Sequence, residues 1–99
     1  MTITKNQDGG KLTVALEGRL DTSTSPQLEA ELRTSVNGVT ELVIDLQNLD
    51  HISSAGLRVL LAAQKVMNRQ GGMKVTNVKP EIMEIFEVTG FVDILKIEN

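Results

Sequence analysis

Two adjacent hydroxyls, Ser53 and Ser54, stand directly ahead of a small pair, Ala55-Gly56. An apolar run from Leu42 to Leu46 leads into this stretch, and an apolar run with helical spacing leaves it. A serine just ahead of a helix is a preferred N-cap, because its hydroxyl accepts from a free backbone N–H of the first turn. The same place suits a phosphate, since those N–H groups and the positive end of the helix dipole both favour negative charge. A hydroxyl here can therefore serve as a cap, as a phospho-acceptor, or as each in turn. On composition alone, Ser54 reads as a plain N-cap.

Other chemistry is thin. His51 is the only histidine, so a Ser-His-acid triad would have to use it. It lies on the same loop as Ser53 and Ser54, where a productive triad geometry is hard to arrange, and the expectation is an ordinary loop residue. With no cysteine there is no thiol nucleophile, no disulfide and no thiolate metal site. Gly71-Gly72 follows a helical pattern and reads as a C-cap; no Walker or dinucleotide fingerprint is present. No catalytic residue, metal site or cofactor is expected. The polar loop at Asp21 and the Ser53-Ser54 turn both follow strand-like runs, and they share one rim of the sheet if those strands lie side by side.

The elements that must position these groups follow from periodicity. Thr2 to Lys5 suggests a short edge strand, closed by the turn signal Asp8-Gly9-Gly10. Leu12, Val14 and Leu16 alternate with Thr13, Ala15 and Glu17, completing an opening β-hairpin. Ser25 then offers a cap with Pro26 at the first helical position, while Thr24 with Gln27 fits a capping box one residue earlier. Leu28, Leu32 and Val36 form one buried stripe, and Glu29 can pair with Arg33 across a turn for about 0.2–0.5 kcal/mol. Asn37-Gly38 stops this helix. Leu42 to Leu46 is nearly continuous apolar sequence and predicts a strand covered on both faces. Asp45 interrupts it, either near the strand's carboxyl end, where open α/β sheets keep their sites, or as an acid bound to nearby loop backbone. A second helix is expected from Ala55 to about Gln70, with Leu57, Leu60, Leu61 and Met67 inward. Met73 to Thr76 is a short strand. A third helix opens at Lys79-Pro80-Glu81 and ends at Thr89-Gly90, with Ile82, Ile85 and Phe86 inward. A last strand is expected within Phe91 to Ile97. The order β-β-α-β-α-β-α-β describes an α/β fold, a mostly parallel mixed sheet of about four to five strands with three crossover helices.

Composition limits the rest. Ninety-nine residues, 40% hydrophobic and 23% charged, suffice for one domain spanning 1–99 with an aliphatic core. A net charge of −3 argues against a broad nucleic-acid footprint. No apolar run approaches the roughly 18 residues that span a membrane, and the N-terminus lacks signal-peptide character. A soluble cytoplasmic domain is expected, without membrane insertion.

Several of these stretches together resemble the anti-sigma factor antagonists of the STAS superfamily. That family carries an Asp-Ser-Ser/Thr/Ala-Gly-Leu element between its third strand and second helix, where this chain has Ser53-Ser54-Ala55-Gly56-Leu57. Its Gly-x-Leu-Asp segment resembles Gly18-Arg19-Leu20-Asp21, its Gly-Gly matches Gly71-Gly72, and its Phe-x-x-x-Gly resembles Phe86 to Gly90. The likeness spans nearly the whole chain, in the family's order. It implies a protein–protein switch: an anti-sigma factor, often also a serine kinase, is bound so that a sigma factor is freed for transcription. The resemblance implies phosphorylation at Ser54 and its reversal by a PP2C-type phosphatase. It implies a partner-binding edge of Asp21, Ser53, Ser54, Gly56, Leu57 and Arg58. Ser53 takes the place of the family's aspartate, which leaves two serines competing for the acceptor role. The alternative is a STAS binding module without phosphorylation, as in a transporter-associated subunit or a signalling scaffold. Family members commonly end in a further helix, for which a chain stopping at Asn99 leaves no room, so part of the sheet cover is expected to be absent or supplied by a partner.

Overall fold

A computed structural model describes all 99 residues. In chain order the elements are β1 (Thr2–Asp8), β2 (Lys11–Leu20), α1 (Ser25–Ser35), β3 (Glu41–Ile52), α2 (Ser54–Gln70), β4 (Gly72–Thr76), α3 (Pro80–Thr89), a 3-10 turn (Phe91–Asp93) and β5 (Ile97–Glu98). The five strands form one sheet in the order β1-β2-β3-β4-β5. The β1–β2 hairpin is antiparallel and the other three pairings are parallel. The expected α/β fold with an opening hairpin is therefore the observed one.

Because strand order follows chain order, each right-handed crossover steps the same way and delivers its helix to the same face. The core is accordingly a single cluster of 24 residues drawn from that face and all three helices. Leu12, Val14 and Leu16 of β2, Leu42 and Ile44 of β3, and Val75 of β4 form its floor. Leu28 and Leu32 of α1, Leu60 and Met67 of α2, and Ile82 and Phe86 of α3 close it. The opposite face holds rows such as Thr13, Val43 and Lys74, then Ala15, Asp45 and Thr76. The helices cover only one face, so the expectation that Leu42 to Leu46 is covered on both holds on the far face at Val43 alone, which is 6% exposed. Asp45 lies mid-strand on the other face and accepts from the Gln47 N–H and the Asn77 amide, each at 3.0 Å. It is an organising acid, not a strand-end site.

The largest departure is the length of β3. It runs to Ile52, so His51 is a strand residue and not a loop one. Its 12 residues pair with the 10 of β2. The excess is absorbed as two bulges in β3, opposite the steps Ala15/Glu17 and Gly18/Arg19 of β2. Each bulge adds one residue and shifts the alternation. The inward residues of β3 are thus Leu42, Ile44, Leu46, Leu49 and Ile52. At the other end, the apolar run after Gly90 is mostly not strand. Gly90 adopts φ 79° at the α3 C-terminus, and the chain winds on, with the Leu95 N–H reaching the Phe91 carbonyl at 2.8 Å. Leu95 drops into the core from this turn, leaving only Ile97–Glu98 to pair with β4.

Candidate functional site

The parallel β2–β3 pairing carries straight into the Ser53-Ser54 turn. The Ser53 N–H donates to the Leu20 carbonyl at 2.9 Å, so the backbone of Ser53 stays extended (φ −101°, ψ 175°). That geometry makes Ser53 the half-in residue, and its Oγ accepts from the Gly56 N–H at 3.4 Å. Ser54 is already the first helical residue. The reading of Ser54 as the N-cap is therefore corrected: Ser53 caps α2, because its N–H is still held by the neighbouring strand. Ser54 is exposed and its hydroxyl makes no hydrogen bond within the chain.

The shared Leu20–Ser53 bond also brings the loop after β2 alongside. Asp21 organises that loop. Its Oδ1 accepts from the Ser23 N–H at 3.0 Å and the Thr24 N–H at 3.1 Å, while Arg19 lies 3.7 Å from Oδ2. These contacts, the Thr24 N–H foremost, hold the Asp21 carboxyl below the usual carboxylate range. The α1 cap falls on Thr24, but without the capping-box bonds. The Thr24 hydroxyl donates to the Arg19 carbonyl at 2.8 Å instead, and buried Ser25 donates to the Asp21 carbonyl at 2.5 Å.

The remaining members of the implied edge divide by burial. Gly56 and Leu57 are buried and cannot present a surface. Gly56 sits where an added Cβ would lie 2.7 Å from Leu20 Cγ and 2.9 Å from Ile52 Cγ1, so it seats the helix against the sheet. Arg58 is exposed and forms no ion pair. It lines a groove of about 560 Å³ between α1 and α2, with Thr22, Pro26, Glu29, Arg33 and Ala55. Sequence reasoning missed one neighbour. Asp50, at the second bulge of β3, pairs with Lys79 at 2.8 Å, which ties the strand to the start of α3. The Lys79 hydrogen bond and charge hold its carboxyl below the usual range, with Arg19 adding to the effect. Only the bulge aims Asp50 at Lys79, and no local pattern in the sequence announces a bulge.

The STAS domain model matches residues 2–99. BtrV of Bordetella bronchiseptica is 41% identical over 101 residues, across 100% of this chain and 87% of its own. The anti-sigma F factor antagonist of Paenibacillus polymyxa is 32% identical over 91 residues, across 89% of this chain and 78% of its own. The crystal structure of an anti-sigma factor antagonist from Mycobacterium paratuberculosis superposes with a TM-score of 0.88 at 26% identity, covering 97% of this chain and 83% of that one. No helix of the chain is long and apolar enough to cross a membrane. The chain belongs to the STAS domain family, in the company of its anti-sigma factor antagonists, and is a binding protein rather than an enzyme.

Proposed function

We propose that this chain binds an anti-sigma factor that is also a serine kinase, and that phosphorylation of Ser54 switches the binding off. The observation that carries the reading is the division of labour at the turn: Ser53 holds the helix, which leaves the exposed Ser54 hydroxyl without a structural task. Transfer of the γ-phosphoryl group from ATP to Ser54 Oγ releases ADP and the hydroxyl proton. The modification adds about 1.5 to 2 negative charges at pH 7. At an exposed helix N-terminus such a charge is favourable by roughly 0.3–1 kcal/mol, so the fold survives it. Opposed to a like charge across an interface it costs several kcal/mol, enough to dissociate a moderate complex. A PP2C-type phosphatase would restore binding. Residues 1–99 act as one unit, in the cytoplasm where a sigma factor works.

The test uses the unmodified protein, Ser54→Asp, and an anti-sigma factor shown to bind the wild type. Ser54→Asp should weaken capture at least tenfold while melting at an unchanged temperature. Capture equal to wild type would sink the charge switch. A second reading, a binding module without phosphorylation, draws on the absence of an acid immediately before Ser54. It would be preferred if a kinase that binds the domain incorporates no phosphate.

A further inference from the structure

Arg58 stands four residues after Ser54 on the exposed side of α2. Residues so spaced are neighbours on a helix surface, about 5–6 Å apart at Cβ. The other charged groups around the groove are already engaged. Arg33 pairs with Glu29 at 2.8 Å, Arg19 lies 3.7 Å from Asp21, and Asp21 is held by the backbone of its own loop. Arg58 forms no ion pair, and it lines the same groove as Ala55, the residue after Ser54. A planar guanidinium matches phosphate geometry with two parallel hydrogen bonds.

We infer that Arg58 is the intramolecular receiver of a phosphate on Ser54, one turn further along the exposed side of α2. The inference rests on the reading of Ser54 as the modified residue. Phosphorylation then changes two features of the surface together. It adds negative charge at Ser54 and withdraws the one free cation beside it. A partner group that uses Arg58 in the unmodified protein loses that contact when the phosphate arrives. Arg58 is thus a positioning residue for the switch rather than a passive part of the docking edge.

The experiment installs phosphoserine at position 54 during translation, so no kinase is required. The phosphate is titrated by phosphorus NMR in the wild-type, Arg58→Gln, Arg58→Lys and Arg33→Gln backgrounds. A neighbouring cation stabilises the dianion, so the wild-type phosphate should have a proton affinity at least about twofold lower than in Arg58→Gln. The difference should shrink in high salt. Arg58→Lys, which keeps the charge but not the fork, should fall between them, and Arg33→Gln should match wild type. Equal midpoints in wild type and Arg58→Gln overturn the inference, as does an equal change from Arg33→Gln. The unmodified wild type and both Arg58 variants should melt alike, since Arg58 is exposed and unpaired, and Arg33→Gln should fall by no more than a few degrees through its lost pair with Glu29. A shifted midpoint in a phosphoprotein that still binds its anti-sigma factor would refute the proposed function and leave this inference standing.

Discussion

The separation of cap from acceptor can be tested with two alanine substitutions one residue apart. Ser53→Ala removes the hydroxyl that satisfies the Gly56 N–H. Loss of an N-cap costs about 0.5–2 kcal/mol, and the 3.4 Å separation places this one in the lower half, about 0.5–1 kcal/mol. In a domain of this size 1 kcal/mol moves the melting temperature by about 4–8 °C, so a fall of roughly 2–8 °C is expected. Ser54→Ala removes no hydrogen bond and exchanges serine for a better helix former by about 0.5 kcal/mol. Its melting temperature should match wild type or rise slightly. Phosphate incorporation should show the reverse order. It should vanish in Ser54→Ala and persist in Ser53→Ala, with mass spectrometry placing the group on Ser54. Thermal unfolding by circular dichroism and a kinase assay on the same two samples give all four numbers. If Ser54→Ala melts as low as Ser53→Ala, the hydroxyl at 54 holds the helix and the division of labour is wrong. Phosphate found on Ser53, or on any residue from Thr22 to Ser25, would overturn the acceptor assignment.

Three further outcomes test the packing and the charges. Leu60 is fully buried and Leu61 only half so; Leu60→Ala should cost about 2–5 kcal/mol in chemical denaturation and Leu61→Ala clearly less. Gln64 is 7% exposed and its Oε1 finds no donor, although its amide bonds Asn68 at 2.8 Å; Gln64→Leu should therefore leave the midpoint unchanged or raise it, by up to about 1 kcal/mol. Asp21 and Asp50 titrate lower in the folded chain than their ordinary value, so the unfolded chain binds more protons as the pH drops through that range. Their stabilisation is complete above about pH 4 to 5 and is lost as the pH falls through the lowered values. Asp21→Asn and Asp50→Asn should each flatten the acid limb of a plot of melting temperature against pH, and an unchanged limb in both would refute the assigned contacts.

The regular parts of this fold were legible because one face of the sheet is buried and the helices each keep one stripe. Leu12, Val14 and Leu16, or Leu28, Leu32 and Val36, announce themselves by spacing. The end of β3 did not, because the bulges replace a period of two with steps of three from Leu46 to Leu49 and on to Ile52. Gln47, Asn48, Asp50 and His51 then resemble a loop. The run from Phe91 to Ile97 failed for a related reason: Phe91 and Leu95 share a helical spacing, and the left-handed Gly90 starts a turn rather than a strand. The Ser53-Ser54 turn was located by its composition. Which serine caps depended on a backbone hydrogen bond to Leu20, a partner 33 positions away that no local pattern reveals.

The two bulges of β3 make the turn that follows them behave like a reading frame. A strand changes face with every residue, so one inserted residue sends everything downstream to the wrong side of the sheet. Two insertions restore the side while carrying the chain further along the rim. Leu49 bridges the two frames, opposite Gly18. Removing either bulge alone would turn Ile52 out of the core and point the start of α2 away from the helical layer. Removing both would keep every face correct and move only the distance at which Ser53 and Ser54 emerge. The height of the Ser53-Ser54 turn above its scaffold is therefore adjustable in steps of two residues and intolerant of one.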